Sequence, residues 1–173
     1  MRLTPALDGD LQEVAALVNR AYRAGEGWTN EASYLGGERT SAASLRADLA
    51  ASPEAVLLTL RDDRDGPLLG AVWLEPAGDD AWYLGMLSVR PDLQDRKLGR
   101  RLLEGAEAFA IARGARRIRM TVIAIRDTLI AWYERRGYRL TGEREPFPYE
   151  DQRFGLPNRG DLDFVVLEKR VGA

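Results

Sequence analysis

The stretch that decides the fold is Trp82-Tyr83-Leu84-Gly85-Met86-Leu87-Ser88-Val89-Arg90-Pro91-Asp92-Leu93-Gln94-Asp95-Arg96-Lys97-Leu98-Gly99-Arg100-Arg101-Leu102-Leu103. Its nearly unbroken apolar run to Val89 predicts a buried strand. Arg90-Pro91 ends that strand, and the short polar segment 92–97 leads directly into a helix at Leu98. A strand that feeds a helix through a short loop aims several unpaired backbone N–H groups at one point, and the helix dipole adds partial positive charge there. Such a point is an anion site, most often for phosphate.

Working outward, Leu98, Leu102, Leu103, Ala106, Phe109 and Ala110 share one face of the predicted helix, and Gly114 is positioned to stop it. Residues 118–125 follow as a strand that is apolar on both faces, so strand, helix and strand make a right-handed crossover with parallel strands. A further helix over 127–136 ends at Gly137, and residues 138–142 and 161–168 read as strands separated by an irregular segment, 145–159, that holds Pro146, Pro148 and Pro157. Before the central stretch, residues 2–6 predict a first strand. Asp10 is placed to cap a helix carrying Leu11, Val14, Ala15, Leu17, Val18 and Tyr22. Gly25-Glu26-Gly27-Trp28-Thr29-Asn30 breaks that helix, a second spans 41–51, and strands over 55–60 and 68–74 flank a turn at 62–67. No internal repeat or linker divides the chain, so residues 1–173 are expected to form one α+β domain around a mixed sheet.

Length and composition agree: 173 residues, 45% apolar and 30% charged, suit one globular core. A net charge of -2 and a pI near 5.4 give no global electrostatic reason to bind nucleic acid or an anionic membrane. No apolar run approaches the roughly 18 residues that span a bilayer, and Met1-Arg2-Leu3-Thr4-Pro5 lacks the layout of a secretory signal, so a cytoplasmic protein is expected. The chain has no cysteine and no histidine. That excludes thiolate metal sites, a cysteine nucleophile and histidine-based triads, and leaves carboxylates, Tyr, Ser/Thr, Lys, backbone groups, water or a cofactor to do the chemistry.

Gln94-Asp95-Arg96-Lys97-Leu98-Gly99 resembles the pyrophosphate-binding signature of the GNAT superfamily of N-acetyltransferases, Gln/Arg-x-x-Gly-x-Gly/Ala, with Lys97 standing where the first glycine belongs. Residues 126–138 resemble a second signature of that family, Asn-x-x-Ala-x-x-x-Tyr-x-x-x-Gly-Phe, in Tyr133, Gly137 and Tyr138, with Arg126 at the Asn position. The resemblance covers residues 68–142. It implies a mixed, mostly antiparallel sheet of about six to seven strands with a parallel, splayed central pair and about four flanking helices. It also implies that acetyl-CoA is the acyl donor and that a primary amine of a small molecule or peptide is the acceptor. The pantetheine arm would lie along Leu87, Ser88 and Val89, the pyrophosphate on the loop and helix start formed by Gln94, Asp95, Arg96, Lys97, Leu98, Gly99 and Arg100, and Tyr133 would protonate the departing thiolate.

Several residues carry two readings. Tyr133 shares a helical face with Leu129 and Ile130, which also suits a core aromatic. The segment 90–101 holds Arg90, Arg96, Lys97, Arg100 and Arg101 against Asp92 and Asp95, a charge of +3 that suits either a polyanion or a solvated helix end. Lys97 costs on the order of 1 kcal/mol there if its φ is positive and nothing if it is helical. Arg126 faces the cofactor or solvent. No general base is legible, since Met86 and Thr121 stand at the expected strand positions. A water chain to Glu26, Glu31, Glu75, Asp79 or Asp80 is the substitute. The segments 25–34, with Trp28, and 143–154, with Phe147 and Tyr149, are candidates for the acceptor pocket, and Glu143, Glu145, Glu150 and Asp151 favour a cationic amine. The competing class is a non-catalytic acyl-CoA-binding or protein-interaction domain. A dinucleotide oxidoreductase lacks its Gly-x-Gly-x-x-Gly after a strand. The acceptor's identity is open, as is assembly, a homodimer included.

Overall fold

The computed structural model describes residues 1–25, 30–63 and 65–172. Its main sheet has seven strands in the order β1-β3-β4-β5-β6-β9-β7, where β1 is Arg2–Pro5, β3 Val56–Arg61, β4 Leu68–Pro76, β5 Ala81–Val89, β6 Arg117–Ile123, β7 Arg139–Pro146 and β9 Asp163–Arg170. All neighbouring pairs are antiparallel except β5 and β6. A separate two-stranded ribbon pairs β2 (Leu35–Gly36) with β8 (Leu156–Pro157). The helices are α1 (Leu11–Arg23), α2 (Ala42–Ala51), α3 (Leu98–Ile111) and α4 (Asp127–Glu134). The mixed, mostly antiparallel sheet with one parallel central pair and four helices is the expected α+β architecture.

Strand alternation sends side chains to both faces, and helices cover both. On one face Leu58, Val72, Leu74, Trp82, Leu84, Ile118 and Met120 pack with Leu98, Leu102, Leu103 and Ala106 of α3 and with Leu129, Ile130 and Tyr133 of α4. On the other, Leu57, Leu68 and Ala71 pack with Leu11, Val14, Ala15, Leu17 and Val18 of α1 and Leu45 of α2. Two local expectations change. Asp10 does not cap α1 through its side chain; a 3-10 turn at Asp8–Asp10 precedes the helix, and the Asp10 carboxylate accepts instead from the Leu7 N–H at 2.7 Å. The strand expected at 138–142 runs on to Pro146, crossing Gly142 at φ 87° through a register shift against β9.

The feature that positions the site is the short reach of the parallel ladder. It holds Ala81, Trp82 and Tyr83 of β5 to Arg117, Ile118 and Arg119 of β6 and goes no further, although β5 continues to Val89 and β6 to Ile123. Beyond Tyr83, β5 is bent by a bulge: Gly85 faces Trp73 and Ser88 faces Ala71, so Met86 and Leu87 together oppose Val72. Met86 takes the positive φ of 54° that such a two-against-one pairing uses. A bulge bends its strand and breaks the local ladder, which here opens a gap between the ends of β5 and β6.

Candidate active site

At the carboxyl end of β5, a 3-10 turn over Pro91–Arg96 leads through Lys97, at φ 60° and ψ 21°, into α3. Helical residues followed by one left-handed residue curl successive backbone N–H groups toward a common point, an anion-binding concavity. Arg101 N–H is the donor that bonds back to Lys97 O, at 3.1 Å, and no side chain caps the helix. The N–H groups of Leu98, Gly99 and Arg100 therefore lie ahead of the helix's own ladder. The +3 of this segment is partly neutralised: Arg90 pairs with Asp92 at 2.6 Å and Arg100 with Glu104 at 2.7 Å. Arg96, Lys97 and Arg101 are exposed, and among the described residues they have no ion-pair partner, so three cations are left at the helix start. Leu98 buries its side chain in the core, which leaves its backbone for any ligand. Gly99 lies under Trp132, where a Cβ would come within 3.5 Å of the indole, so α3 and α4 meet closely at this end. Gln94 and Asp95 belong to the same turn.

The gap between β5 and β6 opens into a cavity lined by Tyr22, Arg39, Tyr83, Gly85, Met86, Leu87, Thr121, Arg126 and Tyr133, with Glu31 and Phe147 on its far side. Leu87, Arg126 and Tyr133, three of the residues expected at the site, meet here; Ser88 and Val89 are buried at the same strand end. The Ser88 hydroxyl, fully buried, donates to Met86 O at 3.0 Å, and Tyr22 donates to Leu87 O at 3.3 Å. Burial pushes the Tyr22 phenol up to about 12, against the pull of Arg39, so it remains a donor at all ordinary pH values.

Tyr133 satisfies both of its readings. It is 5% exposed within the main core, edge-on to Trp132 and Tyr138 at 5.0 and 5.7 Å between ring centres, and it also lines the cavity. Among the described residues its hydroxyl has no hydrogen-bond partner. Burial is the main cause that drives its pKa well above the usual phenol value, so it carries a proton available to an incoming anion.

Arg126 is buried at the start of α4 and meets Glu31 at 3.2 Å, while Arg23 of α1 meets the other oxygen of Glu31 at 2.5 Å. Glu31 is thereby held between two arginines at the cavity wall. Glu75 lies instead in an open groove beyond Tyr83, and Asp80 pairs with Arg117 at 2.7 Å. Glu26 and Trp28 lie outside the described residues. Phe147 lines the cavity, whereas the Tyr149 hydroxyl accepts from Leu162 N–H at 2.7 Å and so braces the loop that carries Phe147. Glu143 is paired with Arg119 and Asp151 with Arg153.

Tyr83 and Arg39 line the cavity, and sequence reading passed over both; the place of Tyr83 is the more specific. Its hydroxyl lies 3.5 Å from that of Thr121, at the mouth where the strands part, and its ring occupies the space that a side chain at Gly85 would need: a Cβ there would be 2.7 Å from Tyr83 Cε1. The signal was the pair Tyr83 and Gly85 on the strand face opposite Trp82 and Leu84. Among the described residues no cluster of acidic groups could hold a metal ion, and no helix is long and apolar enough to cross a membrane.

The acetyltransferase (GNAT) family model matches residues 12–138. Among solved structures, the ribosomal-protein-alanine N-acetyltransferase from Brucella melitensis superposes with a TM-score of 0.72 at 16% identity, covering 99% of this chain and 100% of that one. The ribosomal-protein-S18-alanine N-acetyltransferase from Escherichia coli gives 0.73 at 17% identity over 99% and 94%. A putative phosphinothricin N-acetyltransferase gives 0.73 at 13% over 99% and 99%. No curated protein matches the chain. At these identities the structural likeness speaks for the fold alone.

Proposed function

We propose that this chain, which belongs to the acetyltransferase (GNAT) family, takes acetyl from acetyl-CoA and delivers it directly to a primary amine of a small molecule or peptide, residues 1–173 acting as one acyltransferase unit. The observation that carries the reading is the cavity at the parting of β5 and β6, which joins Leu87, Arg126 and Tyr133 beside a helix start with uncapped N–H groups. The cradle fits a diphosphate: Lys97 curls the amides inward, and Arg96 and Lys97 add charge. Leu87, Ser88 and Val89 offer a strand end for the pantetheine arm, and Arg126 stands at the head of α4 beside it.

Acetyl-CoA supplies a thioester carbonyl. The amine nitrogen bonds to that carbon, the carbon–sulfur bond breaks, the nitrogen gives up its proton to solvent, and the thiolate takes one from the Tyr133 phenol, which water then reprotonates. A covalent acyl-enzyme has no support in the residues present: the chain has no cysteine, and Ser88 is buried with its hydroxyl committed to Met86 O. Holding amine and thioester in attack geometry lowers the barrier by several kcal/mol without a nucleophile from the protein.

The test is the melting temperature in acetyl-CoA. Ligand at about 100 times its dissociation constant adds roughly 2.7 kcal/mol of stability. A clear upward shift in millimolar acetyl-CoA supports the donor site, and an unchanged melting temperature removes it.

A further inference from the structure

Resting on that reading, we propose that the acceptor is an amine that also carries a carboxylate, with an apolar body between or beside the two groups, and that Arg39 binds the carboxylate. Among the described residues, the charged side chains that line the cavity are Glu31, Arg39 and Arg126. Glu31 is already shared by Arg23 and Arg126, and the side chains of all three are 8% exposed. That trio is held together by its own pairing, and Arg39 stands outside it. The Arg39 guanidinium lies 5.6 Å from the centre of the Tyr22 ring, and among the described residues no carboxylate pairs with it. An unbalanced positive charge at a partly desolvated wall attracts an anion and disfavours a ligand that brings only an ammonium.

Among the described residues, Glu31 is the one acidic side chain in the cavity lining. Glu143 and Asp151 have arginine partners, and Glu145 lines the open groove that meets the cavity at Tyr83 and Thr121. Arg39 is also held in place as a binding residue needs to be. Its backbone N–H donates to Asn19 Oδ1 at 2.6 Å, and Asn19 Nδ2 donates to Thr40 O at 2.8 Å, so α1 clamps the backbone of Arg39 and of the residue after it. The diphosphate cradle is built from a different part of the chain, the start of α3. Apolar side chains complete the cavity, among them Leu35, Met86, Phe147 and Phe154, which suits an apolar or aromatic acceptor body.

The experiment measures thiol release at saturating acetyl-CoA for matched acceptors: L-phenylalanine and L-methionine, their carboxamides, and phenethylamine. The acids are expected to exceed their amides at least about tenfold in kcat/KM, the scale of one charge-assisted hydrogen bond. Arg39→Gln should bring the acid-to-amide ratio close to one without raising the KM for acetyl-CoA, and Arg39→Lys should keep part of the preference. Amides turned over as well as acids, no acid acetylated although acetyl-CoA binds, or a ratio unmoved by Arg39→Gln would each overturn the proposal and leave the donor site standing. A raised KM for acetyl-CoA in Arg39→Gln would assign the arginine to the donor instead. Absence of any acetyl-CoA binding would bring down the underlying function, and this proposal with it.

Discussion

Lys97 holds φ 60° immediately before α3, a conformation in which an L side chain crowds the following carbonyl. Glycine at the same position is relieved of that crowding, so Lys97→Gly should raise stability by about 1 kcal/mol without any ligand, a shift of about 2–4 °C for a chain of this size. Lys97→Glu, which keeps the crowding and reverses the charge, should weaken acetyl-CoA far more than Lys97→Gly does, and the wild-type affinity should fall with added salt. Calorimetric titration of both variants at two salt concentrations checks this; equal affinity of Lys97→Glu and wild type would leave the backbone amides alone to hold the phosphates. Tyr133 yields a second prediction. Tyr133→Phe should fold and bind acetyl-CoA but lose about 10- to 1,000-fold in rate, bracketing the usual contribution of a general acid. Because burial raises the Tyr133 pKa, the protonated phenol is present below its ordinary value near 10 and is lost only as pH rises through its higher folded value. The rate should therefore climb with deprotonation of the acceptor, near pH 7.8 for a peptide α-amine, higher for a free amino acid whose carboxylate holds the ammonium proton, and near 10.4 for a lysine-like amine, with no alkaline fall below about pH 10. A fall at neutral pH in the pH–rate profile would remove Tyr133 as the proton donor.

At the scale of elements, two buried charge clusters tie helices to one another and to the sheet. Glu31 joins the end of α1, through Arg23, to the start of α4, through Arg126. Glu107, on the apolar face of α3, accepts from the Tyr138 hydroxyl at 2.9 Å and from Lys169 of β9 at 2.8 Å. Removing one partner of a buried pair leaves an uncompensated charge, so Glu31→Gln, which removes the carboxylate that two arginines share, should cost about 3–5 kcal/mol. Chemical denaturation measures it, and a loss below about 1 kcal/mol, the size of a surface pair, would mean that water reaches the cluster. These clusters also mark where the sequence stopped being readable. The crossover of β5, α3 and β6 was legible because its apolar residues repeat with clear periods over many residues. Glu31 read as a candidate carboxylate for a water chain and not as an ion-pair centre, since its partners lie at positions 23 and 126, and Glu107 drew no reading, because Tyr138 and Lys169 approach it through the fold. The β2–β8 ribbon is too short to show alternation. The bulge at Met86 carries no glycine to announce its positive φ, so the device that parts the strands was hidden although the parting itself was expected.

Over the whole molecule, these parts converge on one place. The antiparallel strands fix the sheet, the early end of the β5–β6 ladder opens it, α3 presents its amides beside the opening, α4 brings Tyr133 and Arg126, and the segment between α1 and α2 closes the far wall with Glu31 and Arg39. With no cysteine or histidine in the chain, the chemistry proposed for that arrangement is direct transfer between two bound substrates. The most direct test is a two-substrate initial-rate measurement in which acetyl-CoA and a carboxylate-bearing amine are both varied, with free thiol and acetylated amine quantified together. Intersecting double-reciprocal lines and one acetylated amine for each thiol released are the predicted result; parallel lines, or thiol released without acetylated amine, would contradict it.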